Sequence, residues 1–253
     1  MLPVVNRLRR AARVIAGRDD SRPKAAEDID MDTAFLAIWK ACRPFTMTSM
    51  ARGYALFQAA EYITRRGISG DLVECGVWKG GSAMIMAMSM RHFGDGSRRF
   101  HLFDTFEGMT RPGAFDRSAA SANLVGDRWE ANRREDGGND WARATLDEVM
   151  ANLALTGCAA TQFVAHVGDV ADTLPSVSLP SIALLRLDTD FYESTKLELM
   201  HLYPKVVSGG FVVVDDYGHF LGARKAVDEY LATLSASPFL HRIDYTGRLI
   251  QIR

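Results

Sequence analysis

The chain has 253 residues, 47% of them hydrophobic, and a formal net charge of −1, which suits one large soluble α/β domain or a domain with a small appendage. That charge gives no global pull towards nucleic acid or an anionic membrane, and no apolar run approaches the roughly 20 residues that span a bilayer. The three cysteines, Cys42, Cys75 and Cys158, show no C-x-x-C spacing, which excludes a disulfide framework and a thiolate zinc site and fits a reducing, cytoplasmic compartment.

In chain order, Arg7, Arg9, Arg10, Arg13 and Arg18 alternate with Leu2, Val4, Val5, Leu8, Val14 and Ile15. The arginines interrupt any signal-peptide core. The segment could lie on a membrane as a basic amphipathic helix, but a packed N-terminal helix is the preferred reading. Asp19 to Asp32 reads as a polar linker. Phe35, Leu36, Ile38 and Trp39 have helical spacing, and Thr48 is placed to cap a second helix over Tyr54 to Ile63. Asp71 to Ser82 then combines a short apolar strand with Gly76, Gly80 and Gly81, directly before a helix-favouring run from Ala83 to Met90. A strand, a glycine turn and a helix start present backbone N–H groups to a ligand. The glycines miss the dinucleotide spacing, and Glu74 two residues before Gly76 makes the stretch look more like an S-adenosylmethionine turn.

Arg99 to Asp104 is a second strand ending in an acid, placed to accept from ribose hydroxyls beyond the strand's carboxyl end. Thr110 to Asp140 is polar and aperiodic, as expected of a functional or mobile loop, although Trp129 and Trp141 argue for some packing. A helical pattern resumes from Ala144 to Leu155, and Phe163 to Val167 is the next strand. His166 reads as structural, and Asp169 beyond the strand could meet the ligand's base or ribose edge. Ile182 to Leu187 is a continuous apolar strand apart from Arg186, as expected when both faces are covered. A helix follows, Ser208-Gly209-Gly210 ends it, and Phe211 to Val214 is a further strand. The tail from Leu240 suits an antiparallel edge pair. The repeated βα units predict a doubly wound α/β sheet.

Two of these strands run straight into acids: Asp188 and Asp190, then Asp215 and Asp216. Each could cap the helix that follows. Two adjacent acidic pairs instead favour a hard divalent cation, Mg²⁺ first with Ca²⁺ or Mn²⁺ as alternatives, because converging carboxylates repel unless neutralised. A cation beside a hydroxyl lowers its pKa and a carboxylate takes the proton, so the composition suits metal-assisted O-methylation.

The motifs Asp71 to Ser82, Asp104 to Gly108, Leu187 to Thr195 and Gly209 to Gly218, with Gly222 to Val227 behind them, occur in an order that resembles the macrocin O-methyltransferase family. That family includes enzymes that methylate sugars on macrolide and aminocoumarin antibiotics. The resemblance, from about Thr46 onwards, implies a class I methyltransferase with a mostly parallel seven-stranded sheet, using S-adenosylmethionine and Mg²⁺. It implies cofactor contacts from Glu74, Gly76, Gly80, Gly81, Ser82, Asp104, Phe106, Asp169 and Val170. Metal ligands would be Asp188, Asp215 and Asp216, and the base Asp190 or Asp188, with Asp190 preferred. It further implies a homo-oligomer, a glycosylated small-molecule acceptor, no nucleic acid and no integral membrane association. Residues 1–45 would form a lid or oligomerisation element beside a methyltransferase domain, 46–253, whose mobile loop 110–140 selects the acceptor. A catechol or phenol methyltransferase is the alternative within enzymes, and a non-catalytic S-adenosylmethionine-binding module the alternative outside them.

Overall fold

The computed structural model describes residues 32–119 and 125–253. The arginine-rich segment and most of the linker expected within residues 1–31 lie outside the described residues. Two helices, α1 (Thr33–Cys42) and α2 (Met50–Arg65), precede the sheet. Asp32 caps α1 by accepting from Ala34 N at 2.6 Å. The cap of α2 is Ser49, which accepts from Arg52 N at 3.1 Å, and not the expected Thr48. With the cap supplied one residue later, the Thr48 hydroxyl is free to donate to Asp215 at 3.3 Å.

The remaining elements are β1 (Asp71–Cys75), α3 (Gly81–His92), β2 (Phe100–Asp104), α4 (Gly126–Ala131), α5 (Leu146–Ala154), β3 (Phe163–Val167), α6 (Val170–Thr173), β4 (Ile182–Leu187), α7 (Tyr192–Leu202), β5 (Val206–Val214), α8 (Leu221–Ala232), β6 (His241–Arg242) and β7 (Arg248–Gln251). The seven strands lie in the order β3-β2-β1-β4-β5-β7-β6. The first five are parallel, and β7 is antiparallel to both β5 and β6. This is the doubly wound sheet that the βα repeats predict.

Side chains alternate between the two faces with the period of a strand. Leu72, Leu184 and Val213 join one core with α1, α2, α3 and α5, while Val73, Leu185 and Val212 join a second with α6, α7 and α8. Burying each such side chain stabilises by about 1.5–3 kcal/mol, which is why these strands read as unbroken apolar runs. Arg186 on β4 is the exception, 2% exposed in the middle of the sheet. A charge so placed costs several kcal/mol unless it is paired.

Two local features differ from the sequence reading. Ser208-Gly209-Gly210, expected as a break, lies inside β5. Gly209 has φ +83°, and a Cβ on Gly210 would lie 2.8 Å from Ala183 O, so the glycines let the strand bend past β4 where the register shifts. The polar stretch after Thr110 contains the short helix α4, and Trp129 and Trp141 pack with Phe191 and Phe220 into a third apolar cluster.

Candidate active site

The strand order reverses between β1 and β4, and the crevice beyond their carboxyl ends is the natural ligand site of such a sheet. Register explains which residues meet there. Cys75 pairs with Leu187, and Leu187 with Val214. Ladder bonds continue past the strands, from Asp188 N to Cys75 O at 2.8 Å and from Asp215 N to Leu187 O at 2.9 Å. Gly76, Asp188 and Asp215 are therefore neighbours across three strands. Gly76 has φ +81°, and a Cβ there would lie 2.0 Å from Asp188 O. The first glycine of the turn is required by the next strand end, not only by a ligand.

Two adjoining chambers open on this line. One is bordered by Gly76, Asp104, Gly108, Gly168, Asp169 and Val170. The other, a cavity of about 330 Å³, holds Asp188, Asp190, Asp215 and Asp216 beneath Trp78, Arg128, Trp141 and His219. Gly76, Asp104, Gly108, Met109 and Asp188 border both. Glu74, Gly80, Gly81, Ser82 and Phe106 border neither. Gly81 is held against Phe45 and Thr46, where a Cβ would lie 2.5 Å from Phe45 O, and Ser82 lies 3.4 Å from the Thr46 hydroxyl. Gly80 is the left-handed cap of α3 facing Val149, and Phe106 is buried in the main core.

Two of the expected cofactor acids have structural work. Asp104 accepts from Val77 N at 2.6 Å, Trp78 N at 3.2 Å and Phe106 N at 2.8 Å, so its carboxylate holds the glycine turn in shape while facing both chambers. Asp169 caps α6 through Ala171 N at 2.9 Å.

The four acids beyond β4 and β5 cap nothing: Phe191 and Phe220 precede α7 and α8 without a side-chain cap. They are organised instead by arginines. Arg186 reaches Glu74 at 2.6 Å, Asp188 at 2.6 Å and Asp215 at 2.7 Å. Arg52 pairs with Asp215 and, at 3.1 Å, with Asp244. Sequence reading missed both arginines, although a single charge inside the apolar run of β4 was a visible signal. It missed Glu198 too, which is buried on α7 and accepts from the Thr189 hydroxyl at 2.9 Å.

Arg186, Arg52 and Arg128 face the carboxyls of Glu74, Asp188, Asp190, Asp215 and Asp216, and Arg52 is shared with Asp244. Burial pushes Glu74 up to about 7 despite Arg186. Burial likewise raises Asp190, to about 7, with Asp188 adding to the rise. Asp216 is driven well above the usual carboxylate value by burial and then by Asp190 and Asp188. Asp190 has φ +67°, a left-handed backbone that an L-residue adopts at a cost of about 1–2 kcal/mol.

One oxygen each from Asp188, Asp215 and Asp216 lie within 4.8 Å of one another. Asp216 Oδ2 is buried with no hydrogen-bond partner among the described residues. Three converging carboxyls, together with a buried Asp216 oxygen that has no partner among the described residues, fit a divalent cation.

Among the described residues, no helix is long and apolar enough to cross a membrane. The chain is 36% identical to an 8-demethyl-8-(2,3-dimethoxy-α-L-rhamnosyl)-tetracenomycin-C 4'-O-methyltransferase from Streptomyces olivaceus, over 80% of this chain and 73% of that one. It is 34% identical to the demethyldecarbamoylnovobiocin O-methyltransferase of Streptomyces niveus over the same shares. The structure of the O-methyltransferase NovP superposes with a TM-score of 0.70 at 32% identity, covering 82% of each chain. The macrocin O-methyltransferase (TylF) family model matches residues 19–251, and with the class I methyltransferase fold and these relatives, it makes this chain an O-methyltransferase of the TylF family.

Proposed function

We propose that the chain transfers a methyl group from S-adenosylmethionine to a sugar hydroxyl of a glycosylated natural product, assisted by Mg²⁺ and acting in the cytoplasm as a homo-oligomer. The observation that carries this reading is the convergence of Asp188, Asp215 and Asp216 next to Asp190, in a chamber that shares Gly76 and Asp104 with the nucleoside side. The relatives named for methylating a rhamnosyl-tetracenomycin and a novobiocin precursor support a glycosylated acceptor.

In this reading Asp104, Asp169 and Val170 would hold the adenosine, and Gly76 the methionine end. A cation held by Asp188, Asp215 and Asp216 would polarise the acceptor hydroxyl and lower its pKa. Asp190, which is not among the three proposed metal ligands, takes the hydroxyl proton. The acceptor oxygen forms its bond to the methyl carbon as the carbon–sulfur bond breaks, leaving S-adenosylhomocysteine as a neutral thioether. Arg186 holds Asp188 and Asp215 in place through ion pairs at 2.6 and 2.7 Å. Trp78, Trp141 and Phe220 give the chamber an apolar wall beside the acids. Choice of acceptor would rest with the segments that match no family motif, residues 1–45 and the loop 110–140.

The experiment is a labelled-methyl transfer assay with a desmethyl rhamnosyl aromatic polyketide, with catechol as the competing acceptor and EDTA as the metal control. Label on the sugar, abolished by EDTA, is the expected result. A higher kcat/KM for catechol would replace the sugar acceptor, and full activity in EDTA would remove the metal. Asp190→Asn should lower kcat by about 10²-fold or more with S-adenosylhomocysteine affinity unchanged. An unchanged kcat would move the proton to Asp188.

A further inference from the structure

Residues 116–119 of the polar loop run across both acid-bearing turns. On one side, Asp116 Oδ1 accepts from Tyr192 N at 2.8 Å, the first residue of α7 and two residues past Asp190. Its other oxygen accepts from Gly113 N at 2.7 Å within the loop. On the other side, Leu221 N donates to Arg117 O at 2.9 Å and Ala119 N donates to His219 O at 2.7 Å. Ser118 pairs antiparallel with Phe220 between them. These partners begin three residues after Asp216.

Asp116 is only 2% exposed, and desolvation raises its pKa above the usual carboxylate value. A buried carboxylate is costly, so its two backbone bonds must offset the desolvation. Its bond to Tyr192 supplies the cap that Phe191 cannot give α7. The molecule is also shaped around it. A Cβ on Gly222, in the first turn of α8, would lie 2.0 Å from Asp116 Oδ1 and 3.0 Å from Tyr192 N. Asp116 thus sits where α7 and α8 begin, wedged between the two elements that follow the acids. Past the strap, the loop continues into Trp129 and Trp141, which pack on Phe191 and Phe220.

We propose that residues 116–119 form a strap that sets the gap between the Asp188–Asp190 and Asp215–Asp216 turns, with Asp116 as the positioning residue that pins it. One element then fixes both the spacing of the acids and the wall of the acceptor chamber. Linkage makes the effect reciprocal: a cation drawn in by both turns protects the strap, and the strap tightens the cation site.

The test uses the full chain saturated with S-adenosylhomocysteine, with amide hydrogen exchange and a Mn²⁺ titration followed by electron paramagnetic resonance. Asp116→Ala should raise exchange about tenfold or more in 190–194 and 219–224 together, as loss of a helix cap and its neighbours allows. Mn²⁺ affinity should fall about fivefold or more while S-adenosylhomocysteine affinity stays within about twofold. Asp116→Asn, which keeps one acceptor oxygen for Tyr192 N, should recover most of the protection. Gly222→Ala should reproduce the loss from the opposite side, and these two variants decide the matter if Asp116→Ala does not fold. Faster exchange confined to 113–119, with 190–194 and 219–224 as in the wild type, overturns the strap. The Mn²⁺ arm rests on the metal reading. If the wild type binds no Mn²⁺, that reading fails, and the exchange arm still decides the strap.

Discussion

The turn after β1 and the turns after β4 and β5 face the same crevice but are built on opposite terms. The first is a backbone structure. Gly76 makes room for Asp188, Gly81 makes room for Phe45, and Asp104 closes the loop with three backbone N–H groups. The second is a structure of charges, in which Asp188, Asp190, Asp215 and Asp216 face Arg186, Arg52 and Arg128, and Asp216 Oδ2 finds no partner among the described residues. A satisfied turn gives a rigid floor. An unsatisfied one stores the charge imbalance that a cation and a transferable proton can relieve, and chemistry concentrates there.

The largest effect should come from Arg186→Met. It leaves Glu74, Asp188 and Asp215 without their shared cation, and breaking such a buried network costs about 3–5 kcal/mol in chemical denaturation. A near-neutral result would mean that those acids are already protonated and that the charged account of this region is wrong. On the backbone side, Gly76→Ala meets both a left-handed φ and the Asp188 carbonyl, for an expected loss of about 3 kcal/mol. Gly67→Ala, with φ +61° but nothing within 4 Å, should lose only about 1 kcal/mol. Equal losses would show that conformation alone, and not the approach of β4, requires the glycine at position 76.

Acidity adds a test of the buried carboxyls. Glu74 and Asp190 have folded pKa values of about 7, above the roughly 4 of an unfolded carboxyl. A raised folded value contributes stability that is complete below about 4 and lost as pH rises through about 7. The melting temperature of the metal-free protein should therefore fall as pH rises through neutrality, and Mg²⁺ should flatten the fall. A metal-free melting temperature that rises there would contradict these shifts. The smallest effect belongs to Asp169→Ala, which removes the cap of α6 and should cost about 1 kcal/mol by denaturation.

These contrasts track what local sequence could reveal. Strand, glycine turn and acid are contiguous from Asp71 to Ser82, and so are the runs ending in Asp188 and Asp215, so the βα repeat and the acid pairs were readable. That the pairs meet follows from register, Leu187 beside Val214, which the parallel order makes inevitable. The role of Arg186 was not readable, because its partners lie on β1 and beyond β5, brought together only by the sheet. Thr48 and Ser49 are equally good caps by composition, and the choice between them is made by Asp215 across the crevice. Asp104 looked free for a ribose because its partners are backbone N–H groups, which no side-chain pattern reports. Asp116 was hidden in an aperiodic loop, where only tertiary burial distinguishes it from its solvated neighbours.

Calorimetric titration of Mg²⁺ into the wild type and Asp216→Asn, each saturated with S-adenosylhomocysteine, decides whether the charged turns hold a divalent cation beside a separately built nucleoside floor. One Mg²⁺ per wild-type chain, no measurable Mg²⁺ heat for Asp216→Asn, and the same S-adenosylhomocysteine affinity in both are expected. Mg²⁺ binding that survives in Asp216→Asn, or S-adenosylhomocysteine affinity that disappears with it, would contradict that arrangement.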